Sequence, residues 1–228
     1  MSRQAAAGDM DALKESLAFG LKLTLFITIP AMAGLMLCST PIFSLLFMGG
    51  AFDYAKAEQC GVALFYYSLG LTFVAMVRVL VPAFYALKDT RTPVLTAFTA
   101  FILNLGFSLL LMGPLRHGGL ALASTLSALG NMALLIWFLR KKIGPFGGKS
   151  IVLAGGKGLL ASVPMSVAVY WFITLTDWSS HGHKLVKILV LGGAVAAGII
   201  IYYAFAHLLR CEEAREVTHL LRKKVFKR

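Results

Sequence analysis

The sequence predicts an all-α, polytopic membrane helix bundle with six transmembrane helices, and three observations carry that reading. Hydrophobic residues make up 58% of the 228 positions, and the mean hydropathy is +0.79. Charged residues amount to 14%, whereas a water-facing surface uses about 25%. The apolar residues come in runs of about twenty, the length at which a helix crosses a ~30 Å hydrocarbon core. These runs are continuous rather than alternating, which argues against barrel strands. In lipid each backbone polar group needs a partner, and a helix supplies one within the segment.

The first span covers about Leu17 to Leu37 and the second about Gly61 to Leu87. The third runs from about Pro93 to Met112, the fourth from about Leu120 to Leu139. The fifth covers about Ile151 to Leu175 and the sixth about Leu185 to Leu209. Before them, residues 1–16 read as a polar, helical connecting segment on the cytoplasmic side, with no secretory signal peptide. Residues 17–209 form the six-span membrane domain, and residues 210–228 a basic cytoplasmic tail. Between the first two spans, PIFSLLFMGGAFD is too short to cross and reads as an interfacial helix and turn. KDTRT (88–92) is a tight polar turn, GPLRHGG (113–119) is rich in helix breakers, and RKKIGPFGGK (140–149) is basic. TDWSSHGH (176–183) is polar, with Trp178 at the membrane interface.

Charge sets the expected topology. The formal net charge is +12, which in a soluble protein would suggest nucleic acid. Here the bases stand at the ends of apolar runs, with no basic stripe or nucleic-acid motif, so no nucleic-acid partner is expected. Seventeen of the 22 Lys and Arg residues fall at the two termini and in the second and fourth connections. Only Lys56, Arg116, Lys184 and Lys187 fall on the other side. The excess places both termini in the cytoplasm, as an even number of spans also requires.

The remaining base, Arg78, lies inside the second span, eight residues and so roughly 12 Å from its cytoplasmic end. It could line a polar cavity as an anion contact, or snorkel to the interface. Asn104 and Ser108 in the third span, and Ser124, Ser127 and Asn131 in the fourth, could join helices or line a polar pathway. Thr24 and Thr28, and Ser162 and Ser166, invite the same two readings. Pro30, Pro82 and Pro164 fall inside spans, as hinges or static kinks. Cys38, Cys60 and Cys211 match neither a zinc nor a redox spacing. His181 and His183 are spaced for a weak metal site but read better as loop residues. Neither a metal site nor a cofactor is expected. Without a nucleophile–base set, a P-loop or paired membrane carboxylates, an enzyme is not expected either.

One stretch carries a family resemblance. RVLVPAFYALKDTRTPV (78–94) resembles the signature that closes the tenth span of the lipid II flippases, the MurJ or MviN family. That signature has a basic residue, a proline-aromatic core and a D-x-x-T-P turn. The similarity extends to SRQAAAGD and GLKLTLFITIPAMAGL upstream, and to GPLRHGGLALASTLSALGN downstream. It implies the C-terminal portion of such a flippase, roughly spans nine to fourteen of about fourteen, in an inverted-repeat transporter fold of the MOP superfamily. The missing N-terminal lobe of the same protein would then be a partner, and would hold most of the headgroup arginines.

The resemblance implies a bacterial inner-membrane, multi-pass protein serving cell-wall biogenesis. Its substrate would be lipid II, undecaprenyl-diphosphate carrying the disaccharide-pentapeptide, moved to the outer leaflet by alternating access. Arg78 then occupies the place of the family's basic residue in the tenth span, with Asn104 and Asn131 as further substrate contacts. The fifth and sixth spans correspond to those that form a groove for the lipid tail, where Gly192, Gly193, Ala196, Ala197 and Gly198 suit close packing or a groove. Membrane lipids are the other expected partners. Two alternatives stand beside this reading: a flippase or exporter of another polysaccharide-lipid, and an inactive remnant acting only as a membrane scaffold.

Overall fold

The computed structural model describes residues 9–50, 52–180 and 184–215. His181, His183, His219, Arg3 and the basic residues from 222 onward lie outside the described residues, as does the side chain of Arg116. All the long elements described are helices, and six of them are long and apolar enough to cross a membrane.

Helix α1, Met10–Leu37, starts seven residues before the expected span. The Asp9 carboxylate accepts from the Ala12 amide at 3.0 Å, pairing one of the free donors at the helix start. Helix α2, Ser39–Phe47, is the short element expected between the first two spans, and a Gly49–Phe52 bridge closes the turn after it. Helix α3, Tyr54–Ala86, also starts seven residues early, because Asp53 caps it through the Lys56 amide.

The next helical run is continuous from Arg91 to Ile143, yet it is two spans and not one rod. Asn104 Nδ2 donates to Ser124 Oγ at 3.2 Å. Twenty residues of straight helix would hold those groups about 30 Å apart. The chain therefore reverses near Gly113–Gly119, giving α4, Arg91–Leu115, and α5, His117–Ile143. Gly119 makes the reversal possible: a Cβ there would collide with the Leu111 carbonyl. Arg140, Lys141 and Lys142 occupy the last turn of α5, where cations favour the helix dipole. Gly144, at φ 78°, ends it. Helices α6, Gly148–Thr174, and α7, Lys184–Leu208, form the last pair.

Helix α1 stands at the centre, packed on α3 on one side and on α6 on the other. Helices α4 and α5 pack on α3, and α7 packs on α6. One core joins Leu17, Leu21 and Leu25 of α1 to Leu80 and Phe84 of α3 and Leu135 and Leu139 of α5. A second joins Phe26 of α1 to Ala161, Met165 and Val169 of α6 and Ala194, Tyr202 and Ala206 of α7. The outer faces are apolar: Val152 and Leu208 are each 74% exposed and Leu110 72%. Such surfaces suit lipid, as the hydropathy of the runs requires.

Candidate functional site

The motif that closes α3 and opens α4 is built from its backbone. At the end of α3, the Lys88 amide reaches the Tyr85 carbonyl at 3.0 Å and the Asp89 amide reaches that of Phe84 at 2.9 Å. With Lys88 at φ 58°, this is a Schellman turn, closed by a lysine where glycine is usual. The cation sits where the helix dipole is negative. Asp89 then opens α4. Its carboxylate accepts from the Thr92 amide at 3.0 Å, the Thr92 hydroxyl at 2.7 Å and Lys142 Nζ at 2.7 Å. The Lys142 ammonium, followed by the two Thr92 donors, holds the Asp89 carboxyl far below the usual carboxylate range. Pro93 lies in the first turn of α4, where a missing N–H costs nothing. The D-x-x-T-P pattern is thus a helix start tied across to the end of α5. A cleft of about 270 Å³ opens beside it, lined by Phe84, Asp89, Thr92, Phe138, Lys141 and Lys142.

Arg78 lies two turns further into α3 and is exposed. Among the described residues it has no hydrogen-bond or ion-pair partner. It shares a stripe with Tyr67 (51% exposed), Val74 (43%) and Tyr85 (53%), spaced so that all four project from one side of the helix. Pro82, one turn on, is also exposed, and α3 continues through it to Ala86.

Asn104 joins α4 to α5: its amide reaches Ser124 Oγ at 3.2 Å and Ser127 Oγ at 3.3 Å. Asn131, one turn beyond Ser127, has a buried side-chain oxygen with no hydrogen-bond partner. The structure does not bring Arg78, Asn104 and Asn131 into one hydrogen-bonded cluster among the described residues. Thr24, Thr28 and Ser162 join no helices. Each hydroxyl donates to the carbonyl four residues back in its own helix, at 2.8 Å.

The small residues of α7 divide between two faces. A Cβ on Gly198 would stand 2.9 Å from Val169 Cγ2, so α7 touches α6 there with no room to spare. Gly193 and Ala197 are half-buried on the same side, and a Cβ on Gly193 would meet the Phe172 ring at 3.5 Å. Gly192 and Ala196 face outward, and nothing lies within 4 Å of a Cβ built on Gly192. Pro30 and Pro164 sit inside unbroken helices α1 and α6.

Lys187 is a polar residue whose burial the sequence did not show. Counted by charge with Lys56, Arg116 and Lys184 on one side, it is 3% exposed. Its ammonium donates to the Ser180 carbonyl at 2.8 Å, the Trp178 carbonyl at 3.1 Å and Ser44 Oγ at 3.3 Å. Trp178 folds in beside it, 7% exposed, with its indole N–H on the Ile173 carbonyl at 2.9 Å. The available signal was an apolar run that begins with a lysine directly after a loop full of carbonyl acceptors. Asp177, held below its usual range by the Ser179 hydroxyl and amide, adds a nearby negative charge. Burial pushes the Cys38 thiol up to about 11 and also raises Cys211, so neither is a ready nucleophile. Among the described residues no three metal-ligating side chains come together.

The family model "Lipid II flippase MurJ" matches residues 1–191. The chain is 31% identical over 210 residues to a probable lipid II flippase MurJ of Vibrio cholerae, covering 92% of this chain and 40% of that protein. It is also 31% identical over 194 residues to the probable lipid II flippase MurJ of Thermotoga maritima, covering 85% and 37%. A solved structure, lipid II flippase MurJ in an inward closed conformation, superposes with a TM-score of 0.73 at 24% identity, over 91% of this chain and 41% of that one. The chain therefore spans about two fifths of the length of the relatives it matches. Over that length it is a six-span membrane protein, and it belongs to the MurJ lipid II flippase family.

Proposed function

We propose that this chain is part of a lipid II flippase, and that it carries undecaprenyl-diphosphate-linked peptidoglycan precursor from the cytoplasmic to the outer leaflet by alternating access. The observation that carries the reading is Arg78, an exposed guanidinium about 12 Å along α3 from its end, with no partner among the described residues. A cation at that depth is costly unless it faces water, protein or an anionic ligand. A diphosphate headgroup matches it in charge and geometry. The stripe of Tyr67, Val74, Arg78 and Tyr85 is then a wall of the headgroup cavity, with an N-terminal lobe as the facing wall.

Asn104 and Asn131 would contact the polar headgroup, and the open backbone at Gly192 and Ala196 on α7 would receive the apolar tail. Pro30, Pro82 and Pro164 would let their helices bend between the two states. The role is transport rather than catalysis, in the bacterial cytoplasmic membrane with both termini cytoplasmic. The bases near the ends of α3, α5 and α7 support that orientation.

The test uses the full-length gene product in bacteria depleted of their own flippase. Arg78→Ala should lower lipid II translocation by about tenfold or more, the scale of one lost charge-assisted contact. Arg78→Lys should restore part of it, since an ammonium keeps the charge and loses the planar fork. Normal growth and transport with Arg78→Ala would remove the cavity role while leaving family membership untouched.

A further inference from the structure

Pro30 has no backbone N–H, so the carbonyl four residues earlier in α1, that of Phe26, loses its helical partner. Phe26 is 8% exposed and lies inside the second core. An unpaired carbonyl in such an apolar setting is strongly unfavourable. Tyr202 of α7, itself 6% exposed, donates its hydroxyl to this carbonyl at 2.7 Å. The two rings pack with centroids 5.3 Å apart. Gly158 of α6 lies beside the hydroxyl: a Cβ there would be in ordinary contact with it, at 3.7 Å.

The other two intraspan prolines differ. Pro82 and Pro164 free the carbonyls of Arg78 and Leu160, which belong to exposed residues, and among the described residues no side chain donates to either. Of these three, among the described residues, Pro30 is the one whose freed carbonyl belongs to a buried residue and meets a donor from another helix.

We propose that Tyr202 is the positioning residue of the last helix pair: its hydroxyl replaces the amide that Pro30 lacks, and so fixes where α7 seats on α1. The inference is independent of the cargo, and no outcome below depends on transport. It is tested by a double-mutant cycle in the full-length gene product, purified in detergent. The four forms are the native protein, Tyr202→Phe, Pro30→Ala and the double variant. Tyr202→Phe keeps the ring and removes only the donor. In the native background it should lower Tm by about 1–2 °C, the shift expected for one buried hydrogen bond in a protein of which this chain spans about two fifths. In the Pro30→Ala background the amide at position 30 serves Phe26, and Tyr202→Phe should then lower Tm by less than half as much. An equal drop in both backgrounds, or none in the native one, overturns the proposal. Should Pro30→Ala not fold, infrared spectra of protein labelled with ¹³C at the Phe26 carbonyl alone decide the matter. The labelled band should move to higher frequency in Tyr202→Phe, and an unmoved spectrum overturns the assignment.

Discussion

The two cores that flank α1 are built in opposite ways. Toward α3 and α5 the interior is filled with large side chains: Leu17, Leu21, Leu80, Phe84, Leu135 and Leu139 are all nearly or wholly inaccessible. Toward α6 and α7 the small residues Ala161, Ala194, Gly198 and Ala206 stand among Phe26, Met165, Val169 and Tyr202. The first holds by dispersion contact over many atoms. The second has more small residues, and it adds specific polar fastenings: Tyr202 on the Phe26 carbonyl, and Lys187 on Ser44 and the 178–180 carbonyls. Within a bilayer, where burial from lipid brings little gain, these are the two available ways of joining helices.

The difference predicts opposite sensitivities. In the first core the damage comes from removing atoms. Leu80 is 0% exposed between α1 and α5, so Leu80→Ala should cost about 2–5 kcal/mol by leaving a cavity. Equilibrium unfolding in mixed micelles measures this, and a cost below about 1 kcal/mol would mean that the core collapses freely around the gap.

In the second core the damage comes from adding atoms. A single Cβ at Gly198 already crowds Val169, so Gly198→Val should cost about 1–3 kcal/mol by overpacking. Gly192→Val, on α7's open face, should change stability by no more than about 0.5 kcal/mol. Transport measured on the same pair sharpens the comparison. Loss of activity with unchanged stability in Gly192→Val would mark the open face as a working surface, whereas normal activity would count against a tail groove there.

Much of this was readable from residues alone, for identifiable reasons. Span number and order follow from run length and hydropathy, which depend on nothing remote. The D-x-x-T-P turn is similarly local: Asp89 and Thr92 are three apart, and their capping geometry is set by that spacing. The long-range partners were not readable. Nothing in the third span says that Asn104 meets both Ser124 and Ser127 across the hairpin, or that Thr24 turns back on its own helix. The small residues of 192–198 were visible, but their division into a packed and an open face depends on the crossing of α6 and α7. The burial of Lys187 was not readable because its acceptors come from α2 and from the preceding loop.

A smaller loss than at Leu80 or Gly198 is predicted for the tie at the far end of the first core, where Asp89 links the start of α4 to the end of α5. Asp89→Asn keeps an oxygen for the Thr92 amide and loses the charge that holds Lys142, so it should cost about 0.5–1 kcal/mol. The pH dependence separates this charge effect from simple packing. The folded carboxyl titrates well below its unfolded value of about 3.9. Its contribution is therefore complete above about pH 4–5 and is lost as the pH falls through the folded-state value. The stability gap between the native protein and Asp89→Asn should accordingly be constant from pH 8 to pH 5 and narrow below about pH 4. A gap that persists unchanged in acid would assign the tie to shape rather than to charge, and the turn would then resemble the first core more than the second.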